Sequence, residues 1–465
     1  MPRLSSLVRH PVSIVGVLIT TASAVVFLAL AAAAAAGLFT NPYAGLVIFI
    51  ALPAIFVLGL LLIPFGLWLT RRRMRRDPTA VDEWPVLDFR VRSVRRTVVV
   101  ITALTAANIA ILLFAGYGTL HWMESPKFCG QTCHTPMHPQ YTAWQQTTHS
   151  RVDCVACHIG EGGRAFVKYK MAGARQLIHV VTGNYPRPIP ASVADLRPAL
   201  EVCGHCHDPR NNMGERVRDI REYADDETNT ETRTVLRTQV GGPGRPTGSG
   251  RAIHWHADPS LKVEFVAKGP DRQEIPYVKV TRGDGSVTEY MTEGATSAVP
   301  AGGVSRVMDC IDCHNAAAHR IAPTAEQAVD RAIFRERVDR RLPFVRREAV
   351  RLVKSDHPTQ EAGLAAIERE LRQFYTSHPS AAGAGALDQA IGVVKDAYQH
   401  NVFPTMKVTF GVYPDNLGHM TSNGCFRCHD GSHMARDGTS ISADCEYCHI
   451  QVEAPPAPTP SASAN

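Results

Sequence analysis

Residues 128–139 read FCGQTCHTPMHP. Cys129 and Cys133 stand with three residues between them, His134 follows at once, and Met137 comes three places later. Five other stretches keep the same order with two residues between the cysteines: Cys154/Cys157–His158, Cys203/Cys206–His207, Cys310/Cys313–His314, Cys425/Cys428–His429 and Cys445/Cys448–His449. These six stretches use all 12 cysteines of the 465 residues. One stretch of six is built differently, and it lies nearest the start of the chain.

A disulfide framework has no need of a histidine fixed behind each pair, and a zinc ribbon uses C-x2-C without requiring His at that position. With 20 His in the chain, a given position holds one about 4% of the time, so six accidental matches come to roughly one in 10^8. C-x-x-C-H is the attachment signal for c-type haem: the thiols form thioethers and the adjacent imidazole reaches the iron. The spacing therefore predicts six covalent haems, with the twelve cysteines as attachment points and His134, His158, His207, His314, His429 and His449 as proximal ligands.

The first 120 residues have another character. Uncharged apolar runs cover 13–38, 43–70 and about 97–119. Each is long enough for the ~20 helical residues that cross a bilayer, and Pro53 and Pro64 are tolerable in a membrane helix. The arginine clusters 71–76 (RRRMRR) and 92–96 (RSVRR) abut these runs, so the loop between them and the N-terminus are expected on the cytoplasmic side. Everything after His121 is then expected on the outer face, multi-pass anchored in the cytoplasmic membrane. A signal peptide cut near residue 37 is the other reading of the start, although its apolar run exceeds the usual 7–15 residues. The net charge of +6 rests on these clusters and gives no nucleic-acid surface.

The expected fold is mainly α with much irregular structure: three transmembrane helices, then a multihaem cytochrome c domain with a small β-hairpin insertion. The expected order is helices one and two in 1–70, a cytoplasmic loop at 71–96 and helix three at 97–119. Haems one to three follow in 120–208, the insertion in 209–305, with its hairpin around Asp284-Gly285, and haem four in 306–320. A helical segment at 321–400, haems five and six in 401–450 and a disordered tail at 451–465 complete it. Successive second cysteines lie 24, 49, 107, 115 and 20 residues apart, so haem four is expected to stand apart, with haems filling the core.

From FCGQTCHTPMHPQYTAWQQTTHSRVDCVACHIG through FVKYKMAGARQLIHVVTGNYPRPIP to LRPALEVCGHCH, the chain resembles the NapC/NirT family of membrane-anchored multihaem cytochromes. The stretches VMDCIDCHNAAAH and FGVYPDNLGHMTSNGCFRCHDGSH are similar to its longer members. The resemblance implies oxidation of a membrane quinol (menaquinol or ubiquinol) and transfer of electrons to a periplasmic or other extracytoplasmic redox protein, as in anaerobic respiration. Motif spacing by itself implies a membrane-anchored hexahaem electron carrier. A terminal reductase of nitrite or hydroxylamine type and a haem-bearing subunit of a larger respiratory complex are the alternatives. All six motifs end in His rather than Lys, which speaks against the reductase.

Each iron needs a second axial ligand. The resemblance implies His149 and His179, and, through the longer members, His319 and His419. His254, His256, His400 and His433 are further candidates that also read as ordinary surface histidines. Met137 lies on the same side of a helical turn as His134, so it could replace that histidine or only pack on the haem edge. In the tetrahaem relatives a methionine behind the first motif binds the first iron, and a lysine near the position of Lys168 and Lys170 lies close to the quinol pocket. Those relatives carry an acid soon after it, whereas no Asp or Glu occurs here between Glu161 and Asp195. Cys129 follows Thr119 by ten residues, at most ~36 Å of chain, which keeps haem one near the outer membrane surface. Denaturing mass measurement should show six haems per chain, and a value of five would point to the Cys129/Cys133 site.

Overall fold

The computed structural model describes residues 10–35, 47–76, 89–132, 134–159, 163–191, 198–207, 214–241 and 252–452. Cys133, Glu161, Asp195, the middle of the arginine loop (77–88), the 242–251 segment and the tail from 453 lie outside them, as do the side chains of His134 and Lys170. The chain divides into two compact units, Met1–Thr132 and Cys133–Asn465.

The first unit holds three long helices, α1 (Pro11–Ala35), α2 (Leu52–Arg76) and α3 (Arg92–Glu124). Each contains a stretch long and apolar enough to cross a membrane: Pro11–Ala31, Leu52–Thr70 and Thr105–Glu124. The third helix is longer than its apolar run, 33 residues or about 50 Å, because it begins within the second arginine cluster. Between apolar helices in lipid, close backbone approach replaces the hydrophobic drive. A Cβ at Gly16 would come 2.8 Å from the Gly59 carbonyl, and Ser13 donates to the Ile63 carbonyl at 3.1 Å across the same seam.

After α3, a π-helical turn occupies Phe128–Thr132. A π turn holds one residue more than an α turn. The surplus residue of the C-x3-C spacing falls within this turn.

The second unit opens with α4 (His134–Gln145), α5 (Cys154–His158), α6 (Gly163–Val181) and α7 (Ala199–Val202). Strands β1 (Gly214–Tyr223) and β2 (Glu231–Gly241) form an antiparallel ribbon that the sequence reading did not anticipate. The expected hairpin is part of a larger sheet. Strands β3 (Lys262–Ala267), β4 (Tyr277–Thr281), β5 (Val287–Met291), β6 (Val304–Val307) and β7 (Met434–Ala435) make five antiparallel strands in the order β6-β3-β4-β5-β7. The β4–β5 turn carries Asp284-Gly285, Gly285 having φ +82. The last strand, β8 (His449–Val452), joins β2, so the sixth motif histidine stands in a sheet opposite Thr238.

Between the fourth and fifth motifs, α8 (Cys310–Cys313) is followed by α9 (Ala325–Phe334), α10 (Val345–Val353), α11 (Gln360–Ser377) and α12 (Ala386–Asn401). Thr324 and Thr359 cap α9 and α11, their hydroxyls accepting from Gln327 N at 3.1 Å and Ala362 N at 3.2 Å. Val329, Ile333, Leu352, Ile367, Leu371, Val394 and Tyr398 bury an apolar core among these helices and against Tyr223. This corrects the expectation that haems alone fill the interior: here side chains do. A Cβ on Gly363 would overlap the Tyr398 ring, whose hydroxyl is buried without a partner. Gly363→Ala should therefore cost about 1–3 kcal/mol by overpacking, read as a lower denaturation midpoint, while Tyr398→Phe should be neutral or stabilising.

Candidate haem-ligating site

Five of the motif histidines each face a second histidine from another part of the chain. Ring centres lie 6.0 Å apart for His149–His207 and for His158–His319. They lie 6.2 Å apart for His254–His314, 5.8 Å for His256–His429 and 6.0 Å for His419–His449. Direct stacking would bring rings closer, and nothing of the protein's own explains one shared gap. Two imidazoles on opposite sides of a metal ion, each about 2 Å from it through nitrogen, place their centres about 6 Å apart. The paired histidines thus fit an iron held between them. Among the described residues, no three of His, Cys, Asp and Glu converge as a zinc site would require.

Second contacts orient the rings. His319 Nδ1 lies 3.0 Å from the Gln140 carbonyl, His256 Nδ1 2.9 Å from Ile253, His254 Nδ1 3.2 Å from Val240 and His429 Nδ1 2.8 Å from Ser442. A carbonyl only accepts, so each Nδ1 carries the proton and Nε2 keeps its lone pair, the arrangement of a metal-ligating imidazole. Burial holds His256 and His319 below the ordinary histidine value, against those same hydrogen bonds, which favours the neutral form. His149 has no such anchor, its Nδ1 being buried without a partner. Its loop is instead tied by the Trp144 indole, which donates to the His149 carbonyl at 2.9 Å and the Val152 carbonyl at 3.1 Å.

The remaining candidates are not paired in this way. His433 is 1% exposed, with Nε2 2.6 Å from the Ile275 carbonyl and Nδ1 3.2 Å from Asp430 Oδ1, so both nitrogens are engaged. His400 is likewise engaged twice, with the Asp396 carbonyl at 2.7 Å and Gln146 Nε2 at 3.1 Å. His179 is exposed on α6 and faces none of the five described motif imidazoles. Met137 is half-buried on α4, and Lys168 is exposed on α6 with its ammonium 5.8 Å from the Tyr169 ring centre.

The partners interlace remote segments. His149, between motifs one and two, faces motif three, while His319, just after motif four, faces motif two. His254 and His256 sit on one 3-10 turn, Ile253–Ala257, and face motifs four and five. His419 precedes motif five and faces motif six. Its loop is closed by Cys425 N donating to the Gly418 carbonyl at 2.8 Å, and Gly424, at φ +44, has no room there for a Cβ. Pairing by two-residue spacing on that 3-10 turn was present in the sequence as HWH, but nothing local says which irons it serves.

The attachment cysteines of motifs two to six follow one another in space. The Cys157 thiol is raised by burial, then by Cys154 and Cys206. Cys203 is pushed up to about 11 by burial, then by Cys310 and Cys157. Cys313 is pushed up to about 11 by burial, and among the groups that raise it further is Cys425; Cys448 is raised by burial and then by Cys425. The fourth motif therefore does not stand apart. It sits between the third and fifth, because the long insertions on either side fold as sheets and a helical module that return the chain to the line.

The sequence pattern of the NapC/NirT cytochrome c family, N-terminal region, matches residues 91–188. The chain is 36% identical to the cytochrome c-type protein ImcH of Geobacter sulfurreducens over 450 residues, covering 95% of this chain and 88% of that one. No solved structure matches it. Three apolar helices, haem-attachment motifs and this likeness over nearly the whole length lead to one conclusion: the chain belongs to the NapC/NirT family of cytochromes c, as a membrane protein of electron transfer that uses c-type haem.

Proposed function

We propose that the protein oxidises a membrane quinol and passes its electrons singly through six covalent haems to a redox protein outside the cytoplasmic membrane. The observation that carries this reading is the set of five facing imidazole pairs along successive attachment cysteines. When bound, c-type haem supplies the one-electron iron couple. Two histidines holding each of five irons would leave no coordination site for a substrate, which suits transfer and speaks against a terminal reductase. Assigned distal ligands are His149, His319, His254, His256 and His419, with His179, His400 and His433 as non-ligands of these five irons.

Quinol oxidation releases two electrons and two protons. Entry at the first motif is proposed because it directly follows α3, with the N-terminus and arginine clusters on the cytoplasmic side. Lys168 would stabilise the anion left as the quinol loses a proton, and its exposed ammonium is available to do so. Met137 or His134 would hold the first iron and leave its other face open beside the quinol.

Two measurements test this. His319→Met should raise the potential of one haem, since Met/His ligation favours the reduced iron, and His400→Gln should leave every haem spectrum unchanged; a shift in the second variant alone would reverse the assignment. In the purified protein, a menaquinol analogue should reduce the haems about tenfold more slowly after Lys168→Met, a barrier change of ~1.4 kcal/mol, while dithionite still reduces all six. An unchanged quinol rate would remove Lys168 from the entry site.

A further inference from the structure

The residue just before the second cysteine is Thr132, Ala156, His205, Asp312, Arg427 and Tyr447 in the six motifs. Only the fourth and fifth motifs carry a full charge there, and the charges are opposite. Those two residues meet. Arg427 donates through Nη2 to the Asp312 carbonyl at 2.7 Å, through Nη1 to the Arg272 carbonyl at 3.2 Å and through Nε to the Gly424 carbonyl at 2.7 Å. The Asp312 carboxylate, 1% exposed, is taken by other cations: Arg272 Nη1 and, at 3.2 Å, Arg306 Nε, with Asp309 N at 2.9 Å. Arg306 also pairs with Asp309 at 3.0 Å, and Asp309 accepts from Ala199 N at 3.4 Å, at the helix leading into the third motif.

This knot holds three guanidinium groups and two carboxylates. The surplus cation is Arg427, 7% exposed and bonded only to carbonyls among the described residues. Burying such a group is a poor route to stability, since apolar side chains of similar volume usually serve as well or better. Its field, however, is weakly screened in the interior. An iron that gains an electron loses one unit of positive charge, so a nearby fixed cation favours its reduced form.

Resting on the haem ligation argued above, we propose that Arg427 is a built-in positive charge that raises the reduction potentials of the fourth and fifth haems above those of their neighbours. The middle of the haem line would then be where an electron comes to rest, between entry at one end and exit at the other. Asp312 trims this effect, and the His254–His256 turn binds the same two haems into one mechanical unit.

Potentiometric titration of the purified holoprotein, followed haem by haem by visible and EPR spectra, tests the proposal by sign. Arg427→Gln keeps hydrogen-bond donors and removes the charge. It should lower two potentials by about tenfold in their reduction equilibrium, ~59 mV for one electron. Asp312→Asn should raise the same two, and Arg427→Lys should restore them. A residue that merely holds the fold would move stability or haem content without this opposition of signs. Should Arg427→Gln fail to assemble, Arg306→Gln, at the edge of the knot, must lower the same pair. A wild-type spectrum lacking bis-histidine haems overturns the ligation beneath the proposal. A bis-histidine protein whose potentials ignore the charge changes overturns the proposal alone.

Discussion

The second imidazole of each pair is the constraint from which the rest of the second unit follows. Under the proposed ligation, a motif of five residues would supply both thioethers and one iron ligand, and a second ligand would have to come from elsewhere in the chain. That ligand has to be delivered by a distant segment to within about 6 Å of the first imidazole. Five such facing pairs are made, and in three of them at least one histidine is held by a backbone carbonyl. The insertions can be understood as the means of delivery. Ribbon β1–β2 carries the Val240 carbonyl to His254 and pairs with β8 at His449. Trp255, next to both histidines of the 3-10 turn, packs against the buried cluster of the five-stranded sheet that includes Phe265 and Val278.

The interlacing has a consequence for folding. His319 follows motif four and serves motif two, while His149 precedes motif two and serves motif three. Under the proposed ligation no haem site after the first is complete until a later or earlier segment has docked. The helical module between motifs four and five contributes none of the five pairs. It has its own apolar core, so its packing does not depend on haem, and it brings motif five back to motif four as a preformed body.

Local patterns were legible in the sequence and remote ones were not. Attachment motifs and the three apolar helices are short-range signals, fixed by spacing and by composition. His319, His419 and His149, named through resemblance, each face a motif histidine, and so do His254 and His256, which stayed candidates no better than ordinary surface histidines because nothing in IHWHA distinguishes a ligand from an exposed imidazole. His179 was favoured on the same footing as His149, yet lies exposed on α6. The long gaps around the fourth motif suggested isolation, since sequence distance is the only distance a sequence gives. The β1–β2 ribbon, rich in Arg, Glu and Thr, lacked the apolar alternation that usually marks a half-buried strand; its partly polar faces are held by ion pairs such as Arg233–Asp219 at 2.9 Å.

The odd first motif has a distinctive local structure. An α-helical turn places residues three and four apart on one side, which is how C-x-x-C presents two thiols together. A spacing of four, as between Cys129 and Cys133, also keeps to one side of an α turn. What sets this stretch apart locally is the π-helical turn at Phe128–Thr132, one residue wider than an α turn. It is capped where α3 ends: Ser125 Oγ accepts from Phe128 N at 3.2 Å, and Trp122 meets the Phe128 ring edge-on at 4.6 Å. The exception thus falls directly after α3, in the residues that close the first unit. A π turn is an uncommon element, and its position ties the unusual spacing of the first motif to the end of the third apolar helix.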